Sequence, residues 1–254
     1  MKDAPFELVN PDGAARAVLL CDHASNRVPD SVSGGDLGLP PGEMARHIAY
    51  DIGVRGVTLE LSRLLDAPAV LGCFSRLVID PNRGEDDPTL VMRLYDGTII
   101  PANRRIDDAE KRRRLDAWHR PYHAAIHALI EARLAAGRPP ALISIHSFTP
   151  RLYAGQPRPW HIGVLWHADD RLSAPLLARL RAEPDLCVGE NQPYAGQLEG
   201  DTLSRHGLRR NLRHVLIELR QDLIVAEEDQ RLWAARLAPM FAEIVAATEE
   251  APHG

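Results

Sequence analysis

Short aliphatic runs that alternate with stretches of helical length constrain the fold of this chain most. The runs are AVLLCDH (17–23), APAVLGC (67–73), SRLVIDP (75–81), ALISIHS (141–147), HIGVLWH (161–167) and HVLIELR (214–220). Amphipathic stretches occupy 42–65, 107–136, 170–183 and 226–248. Because continuous apolar strands separated by helices are typical of a sheet buried on both faces, the pattern predicts a three-layer α/β/α domain with a largely parallel, mixed sheet. Residues 83–105 lack a clear period, which predicts an irregular excursion over the sheet edge.

Composition narrows the class of protein. No Gly/Ser-rich or charged linker divides the 254 residues, so we expect one domain over 1–254. The formal net charge of -5 argues against nucleic acid or an anionic membrane as the main partner. There is neither an apolar leader nor an apolar run of about eighteen residues, so export and a membrane span are not expected. Cys21, Cys73 and Cys187 form no C-x-x-C pair and are typical of reduced thiols, which predicts a cytoplasmic location.

Polar side chains stand where the aliphatic runs end. The segment LLCDHASNRVPD (19–30) is the clearest case, because an Asp and a His follow directly on a buried run. The residues at such ends are His23, Asp80, Asn82, Arg83, His146, Glu218 and Arg220. Ligands of open α/β sheets bind at the carboxyl ends of the strands. Two histidines, two acids, an asparagine and two arginines at such ends therefore predict a metal-assisted site.

Six segments carry a family resemblance in the same order over nearly the whole chain. They are CDHASNRVP, HIAYDIGV, SRLVIDPNR, ISIHSFTP, GENQPYAG and HVLIELRQDLI. Together they resemble the N-formylglutamate amidohydrolase family. The resemblance implies a metal-dependent amidase that removes a formyl group from an acidic amino acid, on an α/β fold related to the zinc-dependent exopeptidases. The implied partner is a small N-acyl amino acid and the implied cofactor is Zn²⁺ or another divalent metal.

The resemblance assigns roles residue by residue. His23 matches the first metal ligand and His146 the later one, while Glu218 in IELR matches the catalytic base. Asn82 and Arg83 match the pair that binds the substrate carboxylate, for which the planar guanidinium is well shaped.

The third metal ligand departs from the exopeptidase pattern. Asn26 stands where those enzymes have an acidic ligand, and a neutral amide oxygen is a weaker donor for zinc. Asp22 or Asp51 could supply the missing charge, either as a ligand or behind one. An acidic side chain on the substrate requires a second cation, and the candidates are Arg76, Arg220 and Arg27.

Each assignment has a structural alternative. A histidine at a strand end is often merely hydrogen-bonded, and Glu218 could pair with Arg220. His47 and Asp51 lie four residues apart, so one helix face could border the site. The same spacing recurs in the series His119, His123 and His127, which could hold a metal or simply line a helix face.

Two other functions fit the same residues. A carboxypeptidase-like enzyme or an N-acyl amino acid deacylase would use the same metal with different loops around it. A non-catalytic anion-binding module would keep the fold and the arginines, and Asn26 is the residue that favours it. Glu218 argues against that module, because a buried carboxylate without a partner is costly.

Overall fold

A mixed seven-stranded sheet forms the centre of the computed structural model, which describes residues 4–196 and 198–248. The strand order is β1-β3-β2-β6-β9-β7-β8, and pairing is antiparallel only for β1 with β3 and β7 with β9. The strands are β1 (Phe6–Val9), β2 (Ala17–Cys21), β3 (Ala69–Gly72), β6 (Ala141–Phe148), β7 (Ile162–Leu165), β8 (Val188–Glu190) and β9 (His214–Arg220). A separate small hairpin joins β4 (Leu94–Tyr95) to β5 (Thr98–Ile99).

Helices cover both faces of the sheet. They are α1 (Val54–Leu65), α2 (Asp108–Arg114), α3 (Arg120–Ala135), α4 (Ser173–Arg181), α5 (Thr202–His206) and α6 (Glu227–Ala247). Ile143 and Ile145 of β6 pack on one face with apolar residues of α1, α4 and α6. Leu142 packs on the other face with α3 and with the loop residues of 74–100. The predicted three-layer α/β/α architecture with a largely parallel sheet is confirmed.

Some predicted elements differ from the observed ones. Residues 75–81 are not a strand, although Leu77, Val78 and Ile79 are fully buried. The segment turns instead, because Ser75 bonds to the backbone of Ala49 and the amide of Val78 bonds back to Ser75. A short apolar run does not by itself distinguish a strand from a buried turn.

Helix α1 begins much later than the amphipathic stretch at 42. Residues 42–53 are irregular apart from one short 3-10 turn at Glu43–Ala45. Gly53 then takes a left-handed conformation with φ of 82° just before the helix, and its Cα lies close to the backbone of Ile224. The irregular segment leaves Asp51 free to reach the sheet edge.

The alternation of the strands directs the polar residues to one face. Leu142 and His146 of β6 point to the α3 face, as do Leu216 and Glu218 of β9, because side chains two apart share a face. His146 and Glu218 are neighbours in the parallel register of β6 and β9. The carboxyl ends of β2, β6 and β9 thus form one polar edge. Among the described helices, none is both long and apolar enough to cross a membrane.

Candidate metal centre and active site

Two histidines meet at this edge of the sheet. His23 follows β2 directly and is 1% exposed, and His146 near the end of β6 is 2% exposed. Their ring centroids are 5.0 Å apart and the rings are nearly perpendicular. The structure therefore brings the two predicted histidine ligands together.

Asp51 supplies a carboxylate between the two rings. Its Oδ2 lies 3.3 Å from His23 Nδ1 and 2.8 Å from His146 Nδ1. The amide of Asp51 donates to the carbonyl of His23 over 3.0 Å, which ties the irregular segment before α1 to the end of β2. One donor atom from each residue lies within 4.8 Å of the others, and two imidazoles with a carboxylate are a common zinc-binding set.

The far nitrogen of each ring faces another carboxylate. His23 Nε2 lies 2.7 Å from Asp80 Oδ1, and His146 Nε2 lies 3.1 Å from Asp22 Oδ2. Asp22 is itself held by hydroxyl groups of Tyr122 and Thr202, each at 2.8 Å from its Oδ1. Carboxylates accept hydrogen bonds, so when each neutral ring donates from Nε2 to its outer carboxylate, its Nδ1 lone pair faces Asp51. Such carboxylate–histidine pairs orient metal ligands in many sites.

Three acceptors thus converge on one buried point. The two Nδ1 atoms and Asp51 Oδ2 have no hydrogen to share when both histidines are neutral. One way to satisfy these acceptors is to protonate His146. Burial alone would lower the pKa of His146, but its bonds to Asp22 and Asp51 outweigh burial and raise that pKa well above its usual value. A divalent cation is the other solution, because it satisfies all three acceptors together. The residues present fit a zinc ion.

Asn26 lies apart from this cluster, which corrects the predicted ligand set. Its side chain is exposed and donates to the carbonyl of Met44 over 2.8 Å. The chain after His23 is not helical, and it carries the Asn26 side chain outward to the backbone of Met44. Asp51 takes the position that the sequence interpretation gave to Asn26, and Asp22 stands behind His146.

Glu218 places a buried carboxylate beside this cluster. It is 6% exposed, and its Oε2 has no hydrogen-bond partner among the described residues. Burial raises its pKa to about 7, although the charge of His146 acts in the opposite direction. The predicted alternative of a pair with Arg220 does not hold, because Arg220 donates to Asp222 over 2.8 Å and lies outside the cavity described next.

A cavity of about 430 Å³ opens onto the cluster. His23, Asp51, His146 and Glu218 line it. The other lining residues include His47, Arg76, Asn82, Arg83, Tyr95, Phe148, Leu165, Tyr194 and Leu216. His47 and Asp51 do share this border, but on an irregular segment and not on a helix. Tyr95 on the β4–β5 hairpin lies in none of the six segments that carry the family resemblance, and Tyr194 in the loop after β8 belongs to GENQPYAG, where it has no assigned role.

The arginines differ in how their charge is compensated. Arg83 donates to Thr89 over 3.1 Å and to the carbonyl of Asn82 over 2.7 Å, and no described carboxylate lies within 4.0 Å of it. Arg76 is buried and donates to Asp80 over 2.7 Å. Among the described lining residues, Arg83 is therefore the arginine left without a carboxylate partner.

The remaining predicted residues lie as follows. Asn82 lines the cavity, and its Oδ1 accepts from the amide of Thr202 over 3.0 Å at the start of α5. Arg27 donates to the backbone carbonyls of Cys73 and Ala4 and does not line the cavity. Asn82 and Arg83 thus reach the site together, while Arg27 and Arg220 do not.

Known proteins resemble this chain over most of its length. A sequence profile described as N-formylglutamate amidohydrolase matches residues 15–225. The N-formylglutamate deformylase of Pseudomonas putida is 27% identical over 233 residues, which cover 85% of this chain and 84% of that protein. A solved structure of a gene product of Agrobacterium tumefaciens is 34% identical, has a TM-score of 0.92 and covers 98% of both chains. The N-formylglutamate amidohydrolase of Ralstonia eutropha is 22% identical, with a TM-score of 0.64 and 97% of both chains covered, which indicates a shared fold.

Asp51 and Asn26 can be compared directly as zinc ligands. Asp51→Asn keeps the shape of the side chain but removes its charge, so the zinc Kd of the metal-free protein should rise by more than about 100-fold. Loss of a residue that only hydrogen-bonds to a metal ligand typically costs about 10-fold to 100-fold in affinity, so a larger rise indicates a direct ligand. Asn26→Ala should leave that Kd within about twofold. Competition with a chromophoric chelator measures both. A loss of affinity in Asn26→Ala with none in Asp51→Asn would reinstate Asn26 as the ligand.

Proposed function

The chain belongs to the N-formylglutamate amidohydrolase family, and from that premise we propose that it hydrolyses the N-formyl amide of an acidic amino acid such as N-formyl-L-glutamate. The products are formate and the free amino acid. The family resemblance of the six segments is confirmed, and with it the class of hydrolases that act on C–N bonds other than peptide bonds. The metal, the substrate and the residue roles are the proposal.

The proposal rests on one observation. Within a single cavity, His23, Asp51 and His146 bring three ligand atoms within 4.8 Å of one another, and among the described residues Glu218 Oε2 has no hydrogen-bond partner and Arg83 has no carboxylate partner. Amide hydrolysis of a carboxylate-bearing substrate needs three such parts: an electrophilic cation, a base and an anchor. A site that was purely structural would pair these charges with one another.

His23, Asp51 and His146 would hold the metal, for which zinc matches the donor set. When bound, zinc polarises a carbonyl and makes water more acidic, which supplies the reactivity that an amide lacks near neutral pH. Asp80 and Asp22 would keep the two imidazoles in the tautomer that binds a cation.

Glu218 would act as the general base and then as the general acid. Its carboxylate takes a proton from the attacking water, whose oxygen forms a bond to the formyl carbon. The same proton then passes to the amino nitrogen as the C–N bond breaks, so that formate and the amine leave and the carboxylate is restored. A cation nearby lowers the pKa of Glu218 from about 7, which favours the ionised form that the first step requires.

Arg83 would bind a substrate carboxylate and so fix the formyl group near Glu218. A guanidinium can meet a carboxylate through two parallel hydrogen bonds, which sets orientation as well as affinity. Asn82 would act beside it, since it lines the same cavity. Arg76 is proposed for the second carboxylate, with a weaker pull because Asp80 already compensates its charge.

A second candidate is an N-acyl amino acid deacylase with a longer acyl group. The observation that favours it is the size of the cavity, about 430 Å³, which lies in the range that accommodates drug-sized ligands. Release of carboxylic acid from a panel of N-formyl, N-acetyl and longer N-acyl amino acids separates the two. The single domain over 1–254 and the cytoplasmic location stay predictions.

Glu218→Gln tests the base. Glutamine keeps the size of the side chain but cannot accept the proton of water, so kcat for N-formylglutamate should fall about 10²-fold to 10⁴-fold. Zinc content and melting temperature should stay near those of the parent, because Glu218 is not assigned as a ligand. In the parent, the ionised form is the active one, so kcat/KM should fall as the pH drops through the pKa of Glu218.

Formate release, elemental analysis and thermal melting measure these quantities on the same preparations. A folded, zinc-loaded Glu218→Gln protein that works at the parent rate would rule out this mechanism.

Arg83→Lys tests the carboxylate anchor. Lysine keeps the charge but loses the planar fork, so KM for N-formylglutamate should rise about tenfold with a smaller change in kcat and none in zinc content. Arg220→Lys is the matched control, because Arg220 lies outside the cavity, and its KM should stay at the parent value. If Arg83→Lys raises KM equally for an N-formyl amine that has no carboxylate, Arg83 does not act by binding the carboxylate.

A further inference from the structure

Two buried histidines hold the turn that carries Asn82 and Arg83. His119 Nε2 lies 2.9 Å from the carbonyl oxygen of Arg83, and His123 Nε2 lies 2.9 Å from that of Pro81. The two bonds therefore bracket Asn82 on either side. The mechanism proposed above makes no use of these histidines, although their spacing is conspicuous in the sequence.

The hydrogen-bond partners determine the tautomer of each imidazole ring. A carbonyl oxygen can only accept, so Nε2 carries hydrogen in both His119 and His123. His123 Nδ1 must then accept from His206 Nε2, which lies 3.0 Å away on α5. Burial lowers the pKa of all three rings, that of His206 to about 3, so they remain neutral donors and acceptors.

The series is thus not a metal site. Both nitrogens of His123 are engaged, and the third member, His127, is exposed beside Arg210 on the outside of α3. Among the described residues, the group that could hold a metal is the one at His23, Asp51 and His146.

The helix is distorted where it meets the turn. A π-turn spans Leu115–His119, in which the amide of Arg120 bonds to the carbonyl of Leu115. Pro121 follows and has no amide hydrogen to offer. Such wide turns are frequent at functional sites. Here the wide turn ends at the residue that donates to Arg83.

The turn has a third anchor on the opposite side. Asn82 Oδ1 accepts from the amide of Thr202, whose hydroxyl donates to Asp22 behind His146. The backbone of 81–83 is therefore held by the π-turn and α3, and the Asn82 side chain is held by α5. Arg83 reaches the cavity from this fixed base. A long, flexible side chain binds a ligand more tightly when its conformation is fixed before binding.

We propose that His119 and His123 are positioning residues for the substrate carboxylate, which they serve by fixing the backbone from which Arg83 reaches into the cavity. This inference rests on the proposed role of Arg83. Neither histidine lines the cavity, so neither is a catalytic residue. A small displacement of a positioning group can cost a large factor in binding or rate.

The first experiment compares four zinc-loaded proteins: the parent, His119→Phe, His119→Gln and His127→Phe. Calorimetry gives the Kd for L-glutamate, which is a product of the proposed reaction, and formate release gives KM and kcat. Phenylalanine removes the donor, so Kd and KM should rise about tenfold while kcat stays within about threefold. Glutamine can return an N–H near the position of Nε2, so His119→Gln should recover most of the loss. His127→Phe, on the exposed side of the same helix, should match the parent.

The second experiment repeats His119→Phe in an Arg83→Ala background. If His119 acts through Arg83, adding His119→Phe to the Arg83→Ala protein should raise its Kd for L-glutamate by less than about twofold. A full tenfold loss in that background, or no loss in His119→Phe with Arg83 present, would overturn the inference. His119→Asn, which is polar but too short to reach the carbonyl, serves if His119→Phe does not fold, and it should show the same loss.

These outcomes separate the inference from the proposed function. A parent that binds L-glutamate with this pattern but releases no formate from N-formylglutamate would refute the function and keep the positioning role. A parent that binds no L-glutamate would overturn the positioning role.

Discussion

The convergence of His23 Nδ1, His146 Nδ1 and Asp51 Oδ2 on one buried point is the constraint on which the site depends. Behind the two imidazoles stand Asp80 and Asp22, so the region holds more carboxylates than arginines to balance them. Buried charges without compensation are costly, since little solvent remains to stabilise them. A divalent cation at this point satisfies the acceptors and offsets the excess negative charge together.

The scaffold explains how this point is held. Parallel β2 and β6 end at the same edge of the sheet, so His23 and His146 arrive there without any long loop. Asp51 is fastened by its amide to the carbonyl of His23. Tyr122 on α3 and Thr202 on α5 hold Asp22, which in turn holds His146. Helices of the α3 face therefore orient the proposed metal ligands from behind as well as covering the sheet.

The same face of the molecule carries the proposed substrate anchor. The turn at 81–83 is bonded to the π-turn through His119 and to α3 through His123, while α5 binds Asn82 through Thr202. The two helices thus support both halves of the site, the cation cluster and the carboxylate anchor. Because the same helices support both, we expect a fixed distance between the cation cluster and the carboxylate anchor. A fixed distance is what an enzyme needs in order to select an N-acyl amino acid by its length.

Site residues at or just beyond the ends of the aliphatic runs could be predicted from the sequence, whereas the positions of Asp51 and Asn26 in longer irregular segments could not. Aliphatic runs and the rule that strand ends share an edge are enough to indicate His23, His146 and Glu218. The sequence leaves Asp51 between two roles and favours Asn26 as the ligand, because the paths of 24–29 and 42–53 depend on tertiary hydrogen bonds that no local pattern encodes. Arg220 ends strand β9, and the strand pattern does not indicate that its side chain bonds to Asp222, outside the cavity.

Anomalous diffraction at the zinc edge from crystals of the zinc-loaded protein tests the central claim most directly. We predict one strong peak in contact with Nδ1 of His23, Nδ1 of His146 and a carboxylate oxygen of Asp51, with both Nε2 atoms still bonded to Asp80 and Asp22. A peak bound through Nε2, a peak at Asn26, or a zinc-soaked crystal with no peak at this cluster would contradict the account.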